Sequence, residues 1–222
     1  VAWLRTADGV VGEFDAVIFD HDGTIVDSAT AMYRAYGRWA EEFGVDAREL
    51  PRYIGMPSES ISALLVPGRS QYAADRIEQL EVEDTDGVQA MPGAAEAFAA
   101  LPEGRTAIAT SCTAPLLEAR MRVAELPLPP VVVTRGDVVN GKPAPDSFLL
   151  AAERLGTTPE RTLVVEDAPA GVAAARAGGF PVLGVLSSQT PEGLRADHHV
   201  KDLSRVRWEV GDEVIRARLV ED

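Results

Sequence analysis

Four groups of residues carry side chains whose types and spacing can do chemistry. In Phe19-Asp20-His21-Asp22-Gly23-Thr24-Ile25-Val26-Asp27-Ser28, two carboxylates stand two residues apart where an apolar run opens into a glycine-containing turn. If the chain stays extended there, both face one side. Thr110 follows the run Ala107-Ile108-Ala109, and its hydroxyl can donate to a bound oxyanion. Lys142 lies in Gly141-Lys142-Pro143-Ala144-Pro145-Asp146, where the flanking glycine and proline constrain its backbone. Glu166-Asp167 follow Leu163-Val164-Val165. Adjacent acids at the end of a buried strand are costly unless something positive meets them. Asp20, Asp22, Glu166 and Asp167 together place up to four negative charges in one crevice, and Lys142 neutralises only one. Like charges so close raise one another's pKa values, and a divalent cation resolves the conflict. The candidate ligands are all oxygens, so the ion is a hard one, and magnesium fits better than zinc. Magnesium, a lysine and a hydroxyl donor would in turn hold a phosphate.

The neighbours of these residues read more plainly. Ser28, or Asp27, is placed to cap the next helix, and Thr113 to cap the helix after Thr110. Cys112 reads as a bystander rather than a nucleophile, because no histidine lies near it in sequence and none of the three histidines has an obvious partner. Gly136–Lys142 matches a phosphate-binding loop except at its last position, where Pro143 replaces the required hydroxyl residue, and no helix follows directly. Glu78, Glu81, Glu83, Asp84 and Asp86 read as a solvated helix end and linker rather than a metal site. His198 and His199, adjacent on a strand, point to opposite faces and do not chelate together. Trp3, Trp39 and Trp208 read as packing residues.

The elements that must position these groups alternate along the chain. Ala16–Phe19, Ala107–Thr110, Val131–Val133, Leu163–Val165 and Val182–Val185 are continuous apolar runs, the pattern of strands buried on both faces of a parallel sheet. Helical patterns at Pro115–Leu126, Asp146–Leu155 and Ala170–Ala177 lie between them, with Gly156 and Gly178 at the expected C-caps. The alternation predicts an α/β fold, a doubly wound, Rossmann-like parallel sheet. Each chemical group then falls at the carboxyl end of a strand, where open α/β sheets bind ligands. Almost ninety residues separate the first two runs, whereas a crossover needs about thirty. Met32, Ala35, Tyr36, Trp39, Ala40 and Phe43 recur at helical spacing before Gly44, and helical stretches follow at Ser58–Leu65 and Ser70–Leu80. Residues 29–90 therefore read as an inserted helical cap domain, and residues 1–28 with 91–222 as the α/β core. Asp86–Pro92 is the return linker. At the C-terminus Gly211-Asp212 signals a two-residue hairpin between Arg205–Val210 and Glu213–Val220, and Asp8-Gly9 a weaker one between Trp3–Thr6 and Val10–Phe14.

Asp20-x-Asp22-Gly23-Thr24, Thr110, Lys142-Pro143 and Glu166-Asp167 resemble, in order and spacing, the four motifs of haloacid dehalogenase-like hydrolases, over about residues 15–187. The helical insertion resembles the cap of that family. Asp27–Gly44, Thr110-Ser111 and Gly141–Asp146 are most similar to the small sugar and polyol phosphate phosphatases. The resemblance implies that Asp20 is the nucleophile that forms an aspartyl-phosphate. It implies that Asp22 is the general acid and base, and that Thr110 and Lys142 bind the transferring phosphoryl oxygens. It implies a magnesium ion on Asp20, the backbone carbonyl of Asp22 and Asp167, with Glu166 a fourth ligand or one shell out. Two positions depart from the pattern. Related phosphatases often carry a basic residue where this chain has Gly55-Met56-Pro57, and the related mutase carries a histidine where this chain has Met32.

The bulk composition sets limits. With 222 residues and roughly 150 per domain expected, the chain makes one large domain or two small ones. Its 46% hydrophobic residues can fill a core. A net charge of −14 argues against binding a nucleic-acid backbone, and one cysteine excludes an internal disulfide. No apolar stretch approaches the roughly 18 residues of a membrane helix, and Val1–Glu13 has no signal-peptide pattern. The expectation is a soluble, cytoplasmic, magnesium-dependent phosphatase of a small phosphorylated sugar or polyol. Its partner is that substrate, with no nucleic acid and no membrane, and it is a monomer or weak dimer. Two alternatives share the phosphorylated aspartate: a phosphoglucomutase-type phosphotransferase, and, more remotely, a receiver-like signalling module.

Overall fold

The apolar runs become strands, and the spaces between them helices. This computed structural model describes residues 9–53 and 58–220. In chain order the strands are β1 (Val10–Phe14), β2 (Ala16–Phe19), β3 (Val26–Asp27), β4 (Gln89–Ala90), β5 (Thr106–Ala109), β6 (Val131–Val133), β7 (Thr162–Glu166), β8 (Val182–Val185), β9 (His198–Val200), β10 (Val206–Val210) and β11 (Ile215–Leu219). The helices are α1 (Ala29–Phe43), α2 (Ser58–Leu65), α3 (Ser70–Glu83), α4 (Ala94–Ala100), α5 (Ala114–Val123), α6 (Asp146–Leu155), α7 (Pro169–Ala177) and α8 (Pro191–Leu194).

Six strands form one parallel sheet in the order β6-β5-β2-β7-β8-β9. Its residues alternate between two cores. Val17, Phe19, Ile108 and Val165 face a layer that includes Leu117 and Met121 of α5. Ile18, Ala107, Ala109 and Val164 face Phe148 of α6 and Val172 of α7. Strands apolar on both faces have no wet side, which is why the runs show no polar alternation. The chain runs from β2 outward through β5 to β6, then returns to place β7 on the other flank of β2. The order therefore reverses between β2 and β7, and the crevice opens there.

Helices α1, α2 and α3 enclose a third core. Trp39 is fully buried at its centre, and its indole Nε1 donates to the Ala73 carbonyl over 2.8 Å. The chain leaves and re-enters the sheet region through the antiparallel ribbon β3–β4, with Val26 opposite Ala90 and Asp27 opposite Gln89.

Four details differ from the sequence expectations. Val210 pairs with Ile215, so the C-terminal hairpin turns through four residues and not two, and Gly211 closes it by donating to the Val214 carbonyl. Val10–Phe14 pairs with β11 in a sheet ordered β1-β11-β10; the Trp3–Thr6 half of the expected hairpin lies outside the described residues. Gly178 keeps a right-handed conformation, and the left-handed residue after α7 is Gly179. Helix α5 stops at Val123, three residues before Leu126. His198 and His199 do alternate on β9, one buried and one half-buried, and Trp208 packs edge-on against Phe19 with ring centroids 5.9 Å apart.

Candidate active site

Asp20 leaves β2 at the reversal point. Phe19 stands beside Ile108 of β5 and Val165 of β7, and the Asp20 amide donates to the Val165 carbonyl over 2.9 Å. This register carries Asp20, Thr110 and Glu166 to the same edge of the sheet. Three carboxylates meet there: ligand oxygens of Asp20, Glu166 and Asp167 lie within 4.8 Å of one another, and all three residues are buried. Lys142 reaches in from the loop before α6. Its Nζ lies 2.5 Å from Asp20 Oδ1 and 2.9 Å from Glu166 Oε1, and 4.7 Å above the Phe148 ring, which adds a cation–π contact.

Two glycines make room for the acids. A Cβ on Gly171 would fall 1.5 Å from Glu166 Oε1. Its absence lets α7 lie against the carboxylate while the Ala168 amide donates to Glu166 Oε2 over 2.6 Å. Gly23 has φ +79°, and a Cβ there would fall 2.1 Å from Asp167 Oδ2. The Ser187 hydroxyl, beyond the end of β8, donates to the same Asp167 oxygen over 2.9 Å.

The electrostatics show an unbalanced site. Burial pushes Glu166 up to about 7; Lys142 opposes this and Asp20 adds to it. Burial, then Glu166 and Asp20, push Asp167 up to about 8. Burial alone would lower the pKa of Lys142, but Asp20 and Glu166 outweigh it and hold the ammonium above its ordinary value. One cation facing three carboxylates leaves negative charge over, and oxygen ligands at this spacing fit a hard divalent ion.

Asp22 was expected in the same crevice; its carboxylate is not among the three that come within 4.8 Å of one another. The chain turns after Asp20: the His21 carbonyl accepts from the amides of Thr24, Ile25 and Val26, and the Asp22 side chain meets Ser28, Cys112 and Arg120. Asp22 Oδ1 accepts from Ser28 Oγ at 2.5 Å and Arg120 Nη1 at 2.9 Å. Its Oδ2 accepts from Cys112 Sγ at 2.8 Å and lies 3.1 Å from His21 Nδ1. Its pKa is lowered, not raised. Burial works upward, but His21 and Arg120 outweigh it and hold the carboxyl well below the usual carboxylate range.

Several side chains expected to cap helices or face solvent are drawn into contacts between α3 and the sheet region. Ser28 makes no cap bond, because its hydroxyl goes to Asp22. Thr113 donates to Glu78 Oε1 on α3 at 2.5 Å and caps nothing. Glu81 is buried, not solvated; it pairs with Arg120 Nη2 at 2.8 Å, and burial pushes its carboxyl up to about 7 despite that cation. Cys112 Sγ donates to Asp22 Oδ2, and burial, then that carboxylate, push its thiol up, away from a nucleophilic thiolate. The Thr110 hydroxyl accepts from the Cys112 amide over 3.0 Å, while its own amide donates to the Val133 carbonyl. Gly55-Met56-Pro57 lies outside the described residues. A cleft lined by Ser58, Glu59 and Glu78 on one side and Ser111, Thr113 and Arg135 on the other adjoins this region.

Sequence reading missed Arg120, Glu81, Phe148 and Ser187. Arg120 carried a signal: it follows Leu116 and Leu117 at helical spacing and so falls on the apolar stripe of α5. A charge on such a stripe needs a buried partner. Ser187 and Phe148 carried none, because only folding brings them to the acids.

Comparison with known proteins agrees with this arrangement. Residues 14–179 match the haloacid dehalogenase-like hydrolase family. Hexitol phosphatase A of Escherichia coli (strain K12) is 37% identical over 211 residues, 90% of this chain and 97% of that protein. A phosphorylated carbohydrates phosphatase of Thermotoga maritima is 32% identical over 186 residues, 78% of this chain and 86% of that protein. The crystal structure of a hydrolase from Pseudomonas syringae superposes with a TM-score of 0.75 at 28% identity, covering 86% of this chain and 94% of that one. A matching family over most of the chain, and a parallel sheet that gathers the acids and the lysine at its reversal point, lead to one conclusion: this chain belongs to the haloacid dehalogenase-like hydrolases.

Proposed function

We propose that the protein is a magnesium-dependent phosphatase of small sugar or polyol phosphate monoesters, acting through an aspartyl-phosphate. The observation that carries this reading is the meeting of Asp20, Glu166, Asp167 and Lys142 at one edge of the sheet. An Asp20 carboxylate oxygen attacks phosphorus, and the bond from phosphorus to the ester oxygen breaks. Asp22, protonated once it leaves the His21 and Arg120 contacts that hold its carboxyl down, gives that proton to the departing alkoxide. Water then attacks the phosphorus of the aspartyl-phosphate, Asp22 takes the water's proton, and the bond to Asp20 breaks to free inorganic phosphate. Lys142 and Thr110 hold the phosphoryl oxygens. Asp20, Asp167 and the Asp22 carbonyl would hold magnesium, with Glu166 a fourth ligand or one shell out. The ion supplies charge neutralisation at the phosphoryl group.

The curated relatives act, by their names, on hexitol phosphates and phosphorylated carbohydrates, and the hydroxyl- and carboxylate-lined cleft suits a hydroxyl-rich substrate. Residues 29–90 act as a cap that hinges near Ser28 and Asp86–Gly93 and shields the intermediate from bulk water. The test is phosphate release across a panel of small phosphomonoesters with and without magnesium. Release with magnesium, lost in Asp20→Asn, is the expected result. Full activity in Asp20→Asn refutes the mechanism, and isomerised sugar phosphate in place of free phosphate turns the reading to the mutase.

A further inference from the structure

Arg120 sits where two separate parts of the protein compete for one guanidinium. It lies on α5, beside the sheet, and its side chain is only 3% exposed. Nη1 binds Asp22 at 2.9 Å and Nη2 binds Glu81 of α3 at 2.8 Å. Helix α3 belongs to the helical core built around Trp39 and not to the sheet. Two carboxylates share the one guanidinium. Asp22 is thereby bracketed, since Ser28, Cys112 and Arg120 occupy its oxygens, and it stands outside the cluster formed by Asp20, Glu166 and Asp167. For Asp22 to exchange protons with a substrate oxygen, this bracket must reorient while still directing the carboxylate. The group whose hold on Asp22 depends on a second body is Arg120.

We propose that Arg120 is a positioning residue that ties the placement of Asp22 to the position of α3 through Glu81. The proposal rests on the acid–base role given to Asp22 above. A planar guanidinium presents two donors in fixed directions and satisfies both carboxylates at once, whereas an ammonium at this depth reaches one of them. If α3 shifts relative to α5, Glu81 moves with it, and the share of Arg120 left for Asp22 changes. Thr113, just ahead of α5, and Glu78 of α3 make a second contact, so the separation of the two helices is set at more than one point.

The test separates placement of Asp22 from general damage by its dependence on the leaving group. An alkoxide from a hexitol phosphate needs a proton as it departs; nitrophenolate from p-nitrophenyl phosphate does not. The parameter kcat/KM covers the steps through that departure. Arg120→Lys keeps the charge but breaks the bridge, and Glu81→Gln keeps the shape but removes the competing charge. Each is expected to lower kcat/KM for the hexitol phosphate about tenfold or more, and that for p-nitrophenyl phosphate less than about threefold, following the size of general-acid effects. Asp22→Asn is the reference and shows the same selectivity more strongly. Equal loss on both esters, or no loss on either, in Arg120→Lys and Glu81→Gln beside a selective Asp22→Asn overturns the role of Arg120 alone. An unselective Asp22→Asn overturns the acid–base reading, and the role of Arg120 with it.

Discussion

Replacing Asp167 with asparagine should make the metal-free protein more stable at mildly alkaline pH while impairing its chemistry. In the fold without metal, burial and the neighbouring Glu166 and Asp20 push Asp167 from 3.8 up to about 8. The unfolded chain releases this proton near pH 4, and the folded chain keeps it to near pH 8. Between those values folding takes up a proton, so stability falls as pH rises. A rise of about four pH units at about 1.36 kcal/mol each gives an upper figure of about 6 kcal/mol at pH 8. Burying an amide whose N–H groups are not all satisfied offsets roughly 1–3 kcal/mol, and the charge shared with Glu166 reduces the gain further, which leaves about 3 kcal/mol. For a chain of this length that is on the order of 10 °C in Tm. The assay is thermal unfolding in a chelator from about pH 5 to pH 8, then with magnesium. The advantage of Asp167→Asn should shrink toward pH 5, and magnesium should raise Tm of the unaltered protein more than that of the variant. His199 acts the other way, since burial lowers its pKa and favours the fold as pH rises, but it is only half-buried. A variant that melts no higher than the unaltered protein at pH 8 in chelator refutes the reasoning.

Three further outcomes follow from the same contacts. Gly23→Ala places a Cβ 2.1 Å from Asp167 Oδ2 at a left-handed φ, so magnesium affinity, read by titrating activity or Tm, should fall about tenfold or more. Lys142→Met removes the ammonium facing Asp20 and Glu166, and kcat should drop about 10²- to 10³-fold in steady-state assays, with the protein still folded by circular dichroism. Trp39→Phe deletes the donor to the Ala73 carbonyl and leaves a space in the helical core, which should cost about 1–3 kcal/mol in denaturant unfolding.

The strands and helices of the sheet region were legible because their signals are local. A run apolar at every position, such as Leu163–Val165 or Val182–Val185, states its own burial on both faces, and left-handed Gly156 ends α6 where a C-cap glycine belongs. Asp20, Lys142, Glu166 and Asp167 could be grouped in advance for the same reason. Each follows or precedes a recognisable element, and parallel strands in register carry their ends to one edge. Side-chain partners chosen across the fold were not legible. Asp22 was expected beside Asp20 from its spacing, but a tight turn sends it to Ser28, Cys112 and Arg120, residues up to 98 positions away. Glu81 looked solvated because its neighbours in the chain are acids, yet α3 presses it against Arg120. Periodicity reports whether a position is buried, and the meeting of charges depends on how two helices pack. For that reason the identity of the acids could be read along the chain, whereas the contacts that hold Asp22 apart from the Asp20, Glu166 and Asp167 cluster came only when the helices and the sheet packed together.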